Sequence, residues 1–434
     1  MAKKIFEVEI SNRGPRGYET AALLKMPATW GEFNDALQKA RIEDGRCCQN
    51  ELTRIEYPGI QREMIGDNVD LYELNLLAQR LSELSKDDQM GMDGLLQIEK
   101  IHSTGPISLP RLINLTFNAD ICLLAPQVSN TQELGALLYE GEMLSDEAMA
   151  LLDTTEPDSQ FQNALLGVFG QKHQEDFDGV FTSQGYVEPG DEFKEVYRRG
   201  EIAPYFDHSG APVVLEVSKG YFDDPGYDND KTAILNLPAT DAAIWRAVEA
   251  VDAASEEECA FRCTDCLLPS LRDAINDAID EEGGIGQINE FAQLLAQKNQ
   301  IWDANDLVKY KALLSVAGHP SLQDAMQLMH GLDAYELRPE VAQTWEYAEA
   351  ALREKYPDLP EVLVPNPAGR PGRSELLERD HAVIDGLRPA PQETRQPATE
   401  CSSQNSRKRI PDLRLPDVDR VSHESRSNHV HEWD

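Results

Sequence analysis

The chain has 434 residues, 41% of them hydrophobic and 7% aromatic, with 77 acidic against 40 basic side chains and a net charge of −37. That length suits about three domains, and the aromatic content excludes a wholly disordered acidic polymer. A body this acidic repels nucleic acid and anionic membrane, so the expected partner is a protein with a basic working surface, above all one that grips phosphates.

The tail beyond residue 370 is nearly balanced in charge, so the excess belongs to what precedes it. No apolar run is long enough to cross a bilayer, and Met1-Ala-Lys-Lys leads into a strand-like segment rather than a signal sequence. The expected location is the cytoplasm. The cysteines (Cys47, Cys48, Cys122, Cys259, Cys263, Cys266 and Cys401) are odd in number and irregularly spaced, which fits reduced thiols.

In chain order, Phe6, Val8 and Ile10 alternate with Glu7 and Glu9 as a strand does. Thr29 is placed to cap a helix with Phe33, Ala36, Leu37 and Ala40 on one face. A second helix over about 71–85 buries Leu71, Leu74, Leu77, Leu81 and Leu84 and leaves Glu73, Glu83 and Asp87 off its stripe. A connecting α+β module over 141–212 holds a helix with Leu144, Ala148, Leu151 and Leu152, capped by Ser145, and a strand–turn segment at Gly179–Val187.

The pattern then recurs. Val213, Leu215 and Val217 alternate, Leu235-Asn236-Leu237-Pro238-Ala239-Thr240 repeats Leu24-Lys25-Met26-Pro27-Ala28-Thr29, and Ile244, Ala247 and Val248 follow at the earlier spacing. Ile288–Gln293 answers Leu74–Gln79, and Ser321-Leu322, Leu328 and Asp333 answer Ser108-Leu109, Leu115 and Asp120. Matches in this order point to a repeated domain, with copies at 1–140 and 213–356. A helix near 340–354 with Val341, Trp345, Ala348 and Leu352 inward closes the second copy, and Pro- and Gly-rich punctuation opens a tail, 357–434, expected to be mostly disordered.

Chemistry-bearing motifs are scarce. Gly283-Gly284-Ile285-Gly286 lacks the spacing of a dinucleotide fingerprint, and Asp223–Asp230 fails the calcium-loop register because Ala233 and Ala239 stand where glycine and glutamate are needed. Cys263-Thr264-Asp265-Cys266, with Cys259, offers half a zinc site, but no second pair lies at the usual spacing. His102, His173, His208, His319 and His330 are scattered, and His429 and His431 lie in the tail. No catalytic, cofactor or metal residue is assigned, and no enzyme is expected.

What remains is acid at helical spacing. The clearest run is Ser270–Glu282, where Leu271, Ile275 and Ile279 share one face while Asp273, Asp277, Asp280, Glu281 and Glu282 line another. Similar groups are Asp67, Asp70 and Glu73; Glu83, Asp87, Asp88 and Asp93; Glu140, Glu142, Asp146 and Glu147; and Glu256, Glu257 and Glu258. Each alone reads as a solvated face; the shortage of interleaved bases favours a functional field.

Four segments, Asp70–Ala78, Leu112–Asp120, Glu133–Glu140 and Gly179–Val187, resemble the ArdA antirestriction family of conjugative elements and phages, over residues 1–200, with a weaker copy at 213–337. The resemblance implies an elongated, modular α+β fold of small mixed sheets and short helices. It also implies a DNA mimic whose carboxylates stand in for phosphates in the DNA-binding groove of type I restriction–modification enzymes. No cofactor, nucleic acid or membrane is involved. By analogy Leu134, Leu137, Leu138 and Tyr139 form a subunit contact in a homodimer. The alternatives are mimicry aimed at another DNA-binding defence protein, such as a CRISPR nuclease, and a non-mimic scaffold of a mobile element. The second copy and the Arg407-Lys408-Arg409 tail depart from the family pattern.

Overall fold

The computed structural model describes residues 3–13, 19–40, 42–103, 105–157, 159–190, 192–199, 210–222, 231–282, 285–338, 344–355 and 408–411. The first unit runs β1 (Phe6–Arg13), β2 (Glu19–Met26), α1 (Trp30–Ala40), β3 (Gln49–Ile55), α2 (Arg62–Ile65), α3 (Leu71–Glu83), α4 (Lys86–His102) and α5 (Leu109–Thr116). Its sheet is antiparallel in the order β2-β1-β3, and the alternation of Phe6, Val8 and Ile10 turns all three into the core. Phe33, Ala36, Leu37 and Ala40 of α1 are buried as their spacing predicts, and so are the five leucines of the α3 stripe.

A middle module follows: β4 (Leu123–Pro126), α6 (Thr131–Glu140), α7 (Asp146–Asp153), α8 (Gln160–Asp176), β5 (Val180–Phe181) and β6 (Gly185–Glu188). Its sheet has the order β4-β6-β5, so β4 and α6 belong with the segment after them, and a boundary at residue 140 divides one packing unit. Ser145 caps α7 as expected, although Leu151 is exposed. Helix α4 is shared: Met92, Leu95 and Leu96 enter the first core, while Met90 packs with Val180 and Val187. Residues 192–199 then return to the first unit. Asn114 accepts from the Val196 and Tyr197 amides (2.8 and 2.7 Å), and Asn118 accepts from Lys194 N (2.8 Å).

The second unit comprises β7 (Val213–Lys219), β8 (Thr232–Leu237), α9 (Asp241–Ala250), β9 (Cys259–Cys266), α10 (Arg272–Glu282), α11 (Gly286–Ile301), α12 (Ala304–Ala317), α13 (Leu322–His330), β10 (Tyr335–Arg338) and α14 (Thr344–Lys355). Its sheet order, β8-β7-β9, matches β2-β1-β3 position for position. The register shifts between Glu7 and Val8 in one sheet and between Val214 and Leu215 in the other, the same place in each. Met26–Pro27 and Leu237–Pro238 are both cis.

Side chains repeat too. Asn75 accepts from Ala28 N (2.7 Å) and donates to Ala28 O (3.1 Å); Asn289 accepts from Ala239 N (2.8 Å) and donates to Ala239 O (3.0 Å). Ser108 and Ser321 cap α5 and α13, and each helix leads through a short 3-10 turn holding Asp120 or Asp333 into β4 or β10.

The class is α+β, with antiparallel three-stranded sheets; among the described residues a single parallel bridge joins Gly220 to Cys259, and β10 pairs in parallel with β11 (Lys408–Pro411). That short strand interrupts a tail expected to be disordered, the rest of which lies outside the described residues, as does the acidic turn 223–230. In α14 the inward residue is Tyr347, Leu352 is only half-buried, and the side chains of Val341, Trp345 and Ala348 lie outside the description. No helix among the described residues is long and apolar enough to cross a membrane.

Candidate acidic binding surface

Helix α10 follows a 3-10 turn at Pro269–Leu271, and its apolar spacing fixes its roll: Leu271, Ile275, Ala278 and Ile279 are buried in the second core. Asp273, Asp277, Asp280 and Glu281 are thereby exposed, whereas the Glu282 side chain lies outside the description. None of those four carboxylates has a lysine or arginine within 4.0 Å among the described residues.

The helix's one base does not relieve them. Arg272 is buried and turned away, donating to Glu32 Oε1 (2.9 Å) and to the Thr264 carbonyl (2.7 Å). Asp280 and Glu281 also crowd the negative end of the helix dipole, with no basic residue in the last turn. Each such charge costs roughly 0.3–1 kcal/mol where the ends are exposed. Burial explains the apolar face, but no local interaction explains the acidic one.

A second open group lies at the end of α6 and the start of α7. Glu140, Glu142, Asp146 and Glu147 are exposed and unpaired among the described residues, with Asp146 and Glu147 in the favourable first turn of α7. Glu257 and Glu258 are exposed and Glu256 half-buried in a 3-10 turn before β9, where Glu258 accepts from Ala254 N (3.0 Å).

The group from 67 to 93 divides. Asp67 is exposed but paired with Arg62 (3.0 Å); Glu83 and Asp87 are open, with a loose Arg80–Glu83 approach of 3.4 Å. Asp70 and Asp88 serve as capping residues of α3 and α4. Burial raises the carboxyl of Asp70 and that of Asp93, which is half-buried and accepts from Gln184 Nε2 at 3.3 Å. Glu73 must be removed from the surface set. It is 1% exposed and is gripped by Arg199 (2.8 and 3.0 Å) and the Tyr197 hydroxyl (3.1 Å) under the returning segment 192–199. Sequence spacing placed it off the leucine stripe but could not foresee that a distant segment covers it.

The expected subunit contact is also largely internal. Leu134 and Leu138 are each 2% exposed and pack with Tyr186, because α6 lies directly on α8. A Cβ at Gly135 would overlap the Leu166 carbonyl, and one at Gly170 the Thr131 carbonyl, so the two backbones touch. Leu137 alone faces outward at 38% exposure, and Tyr139 donates to Asp153 (2.7 Å).

Sequence reading missed one cluster: His173 Nε2 lies 2.8 Å from the buried Glu188 Oε2, which Tyr186 approaches at 3.4 Å. Burial and the Glu188 charge push the Tyr186 phenol up. No metal-binding group is found among the described residues. Cys263 and Cys266 point into the core, where burial raises both thiols, that of Cys266 to about 12. Comparison with protein-family models and with curated proteins returns no match to this chain.

Proposed function

We propose that this protein is an acidic DNA mimic that occupies the DNA-binding groove of a type I restriction–modification enzyme, acting in the cytoplasm and turning nothing over. The observation that carries the reading is α10, where four carboxylates stand free while the only arginine of the helix is spent inside the molecule. Such an arrangement costs helix stability and adds nothing to the core, as expected of a surface kept for a basic partner.

Successive carboxylates on one helix face rise about 6 Å apart along the axis, against one phosphate charge per roughly 3.4 Å on a DNA strand. A single helix therefore supplies too little charge, and the groups on α6–α7 and α3–α4 would have to contribute. Binding would release counterions from the enzyme's lysines and arginines as DNA does.

The test is restriction of unmodified phage DNA in cells carrying a type I system, with and without this protein. Plating efficiency is expected to rise when the protein is present. Unchanged restriction across several type I systems would reject the proposal.

A further inference from the structure

A seam joins the two units, and it is built from residues that the two do not share. The first turn of α1 lies against the corner between β9 and α10. There Gly31 N donates to Asp265 Oδ1 (3.1 Å), and a Cβ at Gly31 would overlap the Cys266 carbonyl oxygen. Ion pairs stand on either side. Glu32 receives Arg272 (2.9 Å), and Asp35 receives Lys311 (3.1 Å), which also donates to Gln38 (2.7 Å). The Arg272 and Lys311 side chains are each only 11% exposed, so salt screens these pairs less than surface pairs.

Aligning Thr29 with Thr240 sets Gly31, Glu32 and Asp35 opposite Ala242, Ala243 and Arg246. The strand registers likewise set Asp265, beside Val214, opposite Arg54, beside Glu7. Helix α9 thus carries a methyl group where α1 must have none, and a base where α1 has an acid. A head-to-tail contact between like units would ordinarily propagate from one molecule to the next. This one is written into one α1 and one β9–α10 corner.

We propose that the seam holds the two units as one fixed inhibitor, presenting the acidic face of α10 and the acidic groups of the first unit to the partner at a set spacing. This rests on the mimicry reading. A fixed pair binds with the second contact already in place, whereas a loosened pair must order itself on the enzyme.

The test uses the full chain and two charge variants. Asp35→Lys opposes Lys311; adding Lys311→Glu restores attraction, with Lys39 also nearby. Amide exchange is read at α1 and the β9–α10 corner, and potency is read as inhibition of DNA cleavage by a purified type I enzyme. Asp35→Lys is expected to speed exchange at the seam and raise the half-inhibitory concentration at least tenfold, and the double variant to recover both. If the seam opens while potency is unchanged, the inference is overturned and mimicry stands. If the unaltered chain fails to inhibit, mimicry itself fails, and exchange alone reports on the joint.

Discussion

Glu73 and Glu83 sit on the same helix with opposite surroundings, and the difference is what each residue is near in space rather than in sequence. Glu73 meets Arg199 across 126 positions of chain, so no local pattern announces it. Replacing Glu73 by Gln keeps an oxygen for the Tyr197 hydroxyl but turns an amide nitrogen toward one Arg199 donor, which, on a side chain two-thirds exposed, can turn to water. The expected cost is about 1–2 kcal/mol in urea denaturation, with inhibition of restriction unaltered. Asp277→Asn should do the reverse: stability within about 0.5 kcal/mol of the parent, and weaker inhibition. If the two variants behave alike, burial is not what separates a structural acid from a mimic one here.

At the scale of elements, α10 offers a sharper contrast. Lysine at position 280 or 281 would complement the helix dipole and stabilise by roughly 0.3–1 kcal/mol. Asp280→Lys is therefore expected to raise the melting temperature and lower inhibitory potency together; a variant that gains stability and keeps potency would show that this face is only solvated. The Asn75 and Asn289 hydrogen bonds make a second element-level case. Asn75 is fully buried and ties both backbone groups of Ala28 to α3, so Asn75→Ala should cost about 2–3 kcal/mol from two unsatisfied groups. Asn289→Ala, at a half-buried site, should cost less, and the comparison is readable by calorimetry.

These elements were legible in sequence wherever periodicity decides burial. The α10 face and the α3 leucines follow from spacing, while Asn289 answers Asn75 only through the repeat. Leu134 and Leu138, two of the four residues expected at a subunit contact, turn inward instead, because they look equally apolar whether they meet α8 or another chain. Only the glycines at 135 and 170 hinted at the closer partner.

For the whole molecule, the seam makes acid and salt act differently. Burial alone would raise the Glu32 and Asp35 carboxyls. Lys4, the Thr29 amide and, least, Arg272 outweigh burial at Glu32, and Lys311 and Lys39 outweigh it at Asp35, so both are held below their ordinary values of 4.5 and 3.8. Their stabilisation is therefore present above those values and is lost as pH falls through the lowered ones. Protection of the seam amides, taken relative to their intrinsic exchange rate, should hold at pH 5 and fall at still lower pH. Salt at pH 7 should instead weaken binding of the partner steeply, in proportion to the ion pairs made, while leaving the partly buried, less screened seam closed. Loss of both together at moderate salt would contradict that separation.

The backbone-to-backbone crossing of α6 and α8 limits how the middle module can change. Two helices touching through Gly135 and Gly170 admit one alignment, because sliding either by a residue brings a Cβ into the space that only hydrogen now fills. Added or deleted residues between Glu140 and Gln160 can be absorbed in the loops around α7, but not in the crossing. Evolution can lengthen or recharge the α7 arm freely, on a pivot whose setting is locked.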